Sequence, residues 1–283
     1  MKRFFLFLIV SAFLSPAFCQ EETQAEKGSA PVRFTFGTAT LIDNQTTEMP
    51  YKGGLELQVQ HRFSLIESID NLFGIYGSAN TRLGLNYGLT ERIMIGAGTT
   101  KDYKLQDLQW KVAIFRQTED NSTPVSLSYY GNMVLDLRDQ EAYGEGEFRE
   151  MHRLSYFTQL IVARKFSEKI SAQVAPSVIY FNAVPEGYDN LNFAIHAGAR
   201  ANLFGNHSLL LEYDQLLVKP DVEEDLMPKP NLSLGWEIGT ATHAFQVFAA
   251  NYSNIINQYN LLYNTNDFAA GEFLFGFNIT VRF

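Results

Sequence analysis

The chain has 283 residues, 46% of them hydrophobic, 14% aromatic and 19% charged, with one cysteine and a net charge of −9. A lone cysteine excludes a disulfide scaffold and any multi-cysteine zinc site, and the acidic balance excludes nucleic acid as the main partner, because phosphate backbones require a basic footprint. Phenylalanine (23) and tyrosine (14) are abundant while mean hydropathy is only −0.11, which suits an all-β chain of alternating apolar and polar residues and not a helical membrane bundle.

The chain opens MKRFFLFLIVSAFLSPAFCQ. Lys2 and Arg3 precede an apolar run from Phe4 to Leu14, and Ala17-Phe18-Cys19 supplies a small-x-small ending. That pattern predicts a signal peptide over residues 1–19, cleaved before Gln20. Lipidation of Cys19 would need a small residue just before it, and Phe18 stands there. No later stretch approaches the ~18 unbroken apolar residues of a membrane helix. The exported chain is therefore expected to be soluble or to cross a membrane as a barrel.

Residues 20–53 read as an N-terminal extension. Gln20–Pro31 is polar and expected to be flexible. Val32–Thr47 carries alternating Phe34 and Phe36 and fits an extra strand, a lumen plug or a periplasmic extension equally well. From Gly54 the period is two. GLELQVQHRF places Leu55, Leu57, Val59 and Phe63 on one face and Glu56, Gln58, Gln60 and Arg62 on the other, the mark of a two-faced strand. Twelve such segments follow one another over residues 54–283, of which Arg92–Thr99 is the least regular.

The connections between them separate by length. Ser167-Glu168-Lys169, Gly205-Asn206 and Thr240-Ala241-Thr242 suit tight hairpins. Ser64–Ala79, Asp136–Met151, Val218–Pro230 and Tyr252–Gly271 are long. Short turns fall on one side of the sheet and long loops on the other, as in an antiparallel up-and-down outer-membrane barrel. A soluble sandwich has shorter strands and mixes its connections. Closure also satisfies every backbone group in lipid and removes edges. The last strand alternates aromatics and ends on Phe283, resembling the signal read by the barrel assembly machinery. The expected partners are thus that machinery and outer-membrane lipid. Phe63, Tyr87, Trp110, Tyr129, Tyr180, Phe204, Trp236 and Phe283 are expected near strand ends on the outer face, as interfacial girdles.

Three stretches resemble an uncharacterised family of predicted outer-membrane β-barrel proteins from Bacteroidota, a domain of unknown function. They are FGTATLIDNQTTE, KGGLELQVQHRF, and LFGIYGSANTRLGLNYGLTERIMIGAG followed by LQWKVAIFRQ. The run Thr38-x-x-Leu41-Ile42-x-x-Gln45-Thr46, His61-Arg62-Phe63 and Arg82-Leu83-Gly84-Leu85-x-Tyr87-Gly88 carry the likeness. The resemblance implies a barrel in the bacterial outer membrane and supplies no catalytic or binding residue.

Strand parity assigns the lumen. The candidates are Arg62, Arg82, Lys111, Arg153, His196, Arg200, Glu212, Asp214 and Glu237, with Lys165, Arg282, Glu56 and Glu272 beside them. Such charges tune selectivity in a pore, so a channel for small polar or anionic solutes is the leading expectation. In a barrel this small they could instead pair across a filled interior, leaving a structural barrel that docks partners. A membrane-embedded lipid hydrolase is the third reading, with His196 as its mid-strand histidine, but no serine–histidine spacing motif accompanies it. Glu223-Glu224-Asp225 lacks the spacing of a calcium loop, and no nucleotide loop occurs, so no cofactor or metal is expected.

Overall fold

The computed structural model describes residues 30–66, 69–143 and 147–283. The expected signal peptide and nearly all of the polar stretch after it lie outside the described residues. Twelve strands form one antiparallel barrel: β1 (Leu55–Leu65), β2 (Asn80–Gly88), β3 (Ile93–Thr100), β4 (Leu105–Phe115), β5 (Ser126–Asp136), β6 (Leu154–Lys165), β7 (Ile170–Phe181), β8 (Leu191–Phe204), β9 (His207–Leu216), β10 (Asn231–Gly239), β11 (His243–Ala250) and β12 (Leu274–Arg282). Each strand pairs with its neighbours in sequence, and β1 closes on β12 in the register Glu56↔Arg282 to Arg62↔Gly276. Even the irregular segment around Ile93 joins the wall, its Met94 facing inward and fully buried.

The wall has the reverse polarity of a soluble protein. Leu83, Leu85, Leu108, Leu160, Leu234, Val247 and Phe275 are exposed on its outer face. Gln58, Arg82, Asn86, Gln109, Gln159 and Asn278 are buried on its inner face. A continuous exposed apolar belt requires lipid around it. Trp110 faces outward as expected, but it is the sixth of eleven residues in β4 and not at a strand end. Its ring lies against Gly131 of β5, where a Cβ would sit 2.6 Å from Cζ2. The glycine leaves the space that the indole covers.

The lumen is filled by two segments from opposite mouths. Residues 35–47, next to the mouth that carries the short turns, form a buried hairpin closed by the bonds Leu41 N–H to Asn44 O (2.8 Å) and Thr46 N–H to Ala39 O (2.9 Å). Of the three placements open to Val32–Thr47, the chain takes the lumen. The Tyr252–Gly271 connection, expected as an external loop, turns inward instead and carries a helix, α1 (Asn257–Tyr263), whose first six residues are buried. Leu261 and Leu262 of α1 pack with Phe157, Ile161 and Ile179 of the wall. Leu41 and Ile42 of the hairpin pack with Leu210, Phe248 and Tyr252.

Depth in the belt should govern tolerance to charge. Leu234→Arg, near the middle of β10, is expected to cost about 2–4 kcal/mol, whereas Phe204→Arg at the end of β8 should cost about 0–1. Denaturant unfolding in lipid vesicles, followed by heat-modifiable gel migration, measures both.

Candidate functional site

The hairpin tip is gripped by a single carboxylate. Glu212 of β9 accepts the backbone N–H groups of Ile42, Asp43 and Asn44, each at 3.0 Å. These are the donors that a tight turn leaves without partners of its own. Around this point Arg62 of β1 pairs with Asp43 at 3.1 Å and lies 4.4 Å over the Phe248 ring. Asn278 donates to Ile42 O at 2.7 Å, and Asn44 donates to Asp214 at 2.6 Å. Nearer the short turns, Lys111 Nζ donates to the carbonyls of Ala39 (3.0 Å) and Glu48 (2.9 Å), and Arg282 donates to Gly37 O. The wall also makes room for the tip. A Cβ on Gly198 would meet Leu41 Cδ2 at 2.8 Å, and one on Gly235 would meet Ile42 Cδ1 at 3.0 Å.

The helix meets the hairpin in mid-lumen. Asn260 donates to Asp43 Oδ2 at 2.6 Å, while Gln258 donates to Asn132 of β5 (3.0 Å) and Ser155 of β6 (3.2 Å). Buried amides in a helix this short are stable only with such partners.

The other lumen charges are paired across the wall. Arg82 forks onto Asp107 at 2.9 and 2.6 Å, Arg200 meets Glu237 at 2.9 Å, and Arg282 meets Glu56 at 3.3 Å. Breaking one member of such a buried pair costs about 3–5 kcal/mol, since the other is left uncompensated. Parity along β4 would have found Asp107, which shares a face with Gln109 and Lys111. Arg153 is placed differently from expectation. It ends a single helical turn (Glu150–Arg153) ahead of β6 and lies at the long-loop mouth, bonded to Glu150 at 3.0 Å. Glu272 precedes β12 in an exposed loop, because the strand begins only at Leu274.

That mouth holds a cavity of about 420 Å³ between α1 and the ends of β5, β6 and β7. Burial and the nearby Asp136 carboxylate push the Tyr143 phenol up to about 12, and burial also raises that of Tyr103, so both stay neutral at its rim.

His196 of β8 sits in a line of three. Its Nε2 is 2.8 Å from Ser177 Oγ of β7, and its Nδ1 is 2.9 Å from Asp214 Oδ1 of β9. Adjacent strands place the three side chains on one inner face, the relative geometry that nucleophilic serine chemistry uses. All three are buried, and the lining residues of the mouth cavity do not include Ser177. Across the β6–β7 pair, Gln159 faces Ser177, and its amide has no hydrogen-bond partner among the described residues. Spacing along the chain cannot reveal this cluster, because register brings its members together.

The family described as "Membrane bound beta barrel domain (DUF5777)" matches residues 36–283. The chain belongs to this family. The matched region begins at Phe36, so the membrane-bound barrel domain includes the inserted hairpin together with the wall. Among solved structures the barrel is similar to the NanC porin, with a TM-score of 0.52 at 6% identity, covering 80% of this chain and 98% of that one. It is also similar to the KdgM porin in complex with disordered oligogalacturonate (TM-score 0.48, 5% identity, 81% and 99% covered). A third is outer membrane phospholipase A from Escherichia coli (TM-score 0.44, 12% identity, 82% and 93% covered). At such identities the likeness speaks for the fold alone. No curated protein matches the chain by sequence.

Within the barrel domain, Glu212 should control docking of the hairpin. Glu212→Ala orphans three N–H groups and is expected to weaken docking by about 3 kcal/mol. Introduced into an Ile42→Cys background, it should make the new thiol react with a small membrane-impermeant reagent at least about ten-fold faster. Mass spectrometry reads the labelling.

Proposed function

We propose that the protein is an outer-membrane channel for small polar or anionic solutes, held shut by two inserts of its own chain. One observation carries this reading: the hairpin is joined to the wall largely by hydrogen bonds and ion pairs from Arg62, Lys111, Glu212, Gln246 and Asn278. Water can take over such bonds, whose net worth is about 0.5–1.5 kcal/mol between neutral groups and about 1.5–3 where one is charged, so the insert is displaceable in a way that an apolar core is not. A lumen wall of exchangeable polar side chains would remain behind it. The exposed apolar belt, the outward rings of β12 and the terminal Phe283 support residence in the outer membrane after insertion by the assembly machinery. The pattern of residues 1–19 supports export, and the likeness of the first half supports an origin in Bacteroidota.

In planar bilayers the native protein is expected to be mostly closed, and Glu212→Ala or Gly198→Phe should give frequent resolved current steps. Silence from both variants, once each has shown heat-modifiable migration, would overturn the channel and favour the filled structural barrel, a reading supported by the paired charges.

A second reading, a lumenal serine hydrolase, draws on the Ser177–His196–Asp214 line with the Gln159 amide beside it. Treatment with a fluorophosphonate should then modify the native protein and spare Ser177→Ala. Absence of modification in the Glu212→Ala variant as well removes the hydrolase and leaves the three residues as structural partners of the hairpin.

A further inference from the structure

The long-loop mouth contains a site that the closed lumen does not require. Its cavity, about 420 Å³, lies within the range of small-molecule pockets. Tyrosines from three separate segments converge on it: Tyr103 between β3 and β4, Tyr143 between β5 and β6, and Tyr259 and Tyr263 on α1. Tyr259 is 5.1 Å from Tyr103 and 5.9 Å from Tyr263, ring centre to ring centre. The hydroxyls of Tyr103 and Tyr263 make no hydrogen bond among the described residues and are available to a ligand.

Two guanidinium groups share this space. Arg138 lies 4.4 Å over the Tyr103 ring and reaches Asp136 through Nε and Nη2, which leaves Nη1 uncommitted. Arg153 lies 5.6 Å from the centre of the Tyr143 ring and spends Nε and Nη1 on Glu150 and the backbone carbonyls of Asp136 and Arg138, which leaves Nη2. One buried carboxylate, Asp136, lines the cavity and pairs with Arg138, while the side chain of Glu150, the partner of Arg153, is 82% exposed and belongs to the solvent side. The cavity therefore carries more positive than negative charge, with His152 also in its lining. Guanidinium donors select carboxylates, and flanking tyrosines select a flat or pyranose ring. A cation is repelled here, and a neutral ring leaves the spare donors unused.

We infer that the mouth binds a small ring-bearing carboxylate, either a sugar acid or an aromatic acid. The site deepens the channel reading by naming the chemistry of a solute at its entrance, and it rests on that reading only for the solute's onward passage. Binding and conduction are measured separately, so each can fail without the other.

The test is calorimetric titration of the full chain in lipid nanodiscs with glucuronate and 4-hydroxybenzoate, and with glucose and phenol as uncharged counterparts. At least one acid should bind, at least about ten-fold more tightly than its neutral counterpart. Binding should weaken by at least about ten-fold in Arg138→Gln and in Tyr263→Leu, and should fall as salt is raised. Glucuronate alone binding identifies a sugar acid, 4-hydroxybenzoate alone an aromatic acid, and both the shared chemistry. Failure of both acids to bind at millimolar concentration overturns the inference. So does binding that survives Tyr263→Leu unchanged, a variant that removes no intramolecular hydrogen bond and keeps the test decisive if Arg138→Gln misfolds.

Discussion

Three backbone N–H groups on one carboxylate organise the interior. Glu212 reaches from β9 to the turn at Ile42–Asn44, and the rest of the lumen is arranged around that contact. A barrel with an apolar exterior must place its polar residues inside, and buried polar groups need partners. The hairpin supplies many of them. Its carbonyls answer Lys111, Asn278 and Gln246, its Asp43 answers Arg62, and its apolar tip enters the space beside Gly198 and Gly235. Charge burial here is tolerated because it is shared among many short contacts.

Much of the wall was legible because alternation is local. A residue's face follows from its parity, so Arg62, Arg82, Lys111, His196, Arg200, Glu212, Asp214 and Glu237 could be assigned inward without knowing any contact. Parity fails where strands end. Arg153 and Glu272 continue the alternation of β6 and β12 on paper, but each lies in the approach to its strand, where loop geometry decides. Partners were illegible for a different reason. Glu212 meets Ile42 across 170 residues of chain, and Ser177 meets His196 through strand register. No spacing rule encodes either.

The loop after β11 shows how composition misleads. Its asparagines, glutamine and tyrosines read as a solvated external segment. In the barrel those amides are the complement of a polar wall, with Gln258 on Asn132 and Asn260 on Asp43. A polar loop can thus find in a polar lumen partners of the kind it would otherwise find in water. Likewise the run from Thr38 to Thr46, one of the stretches that carries the family likeness, is the hairpin itself, so the likeness reports an internal fitting as much as a wall.

Asp43 belongs to both halves of the filled interior, held by Arg62 of the wall and by Asn260 of the helix that enters from the other mouth. Each insert is therefore part of the other's binding site, and their occupancies are thermodynamically linked. Whatever displaces the helix on one side of the membrane removes a donor from the hairpin on the other, and reciprocity gives the hairpin an equal hold on the helix. One carboxylate thereby lets an event at either surface be felt at the opposite one without any movement of the strands between them.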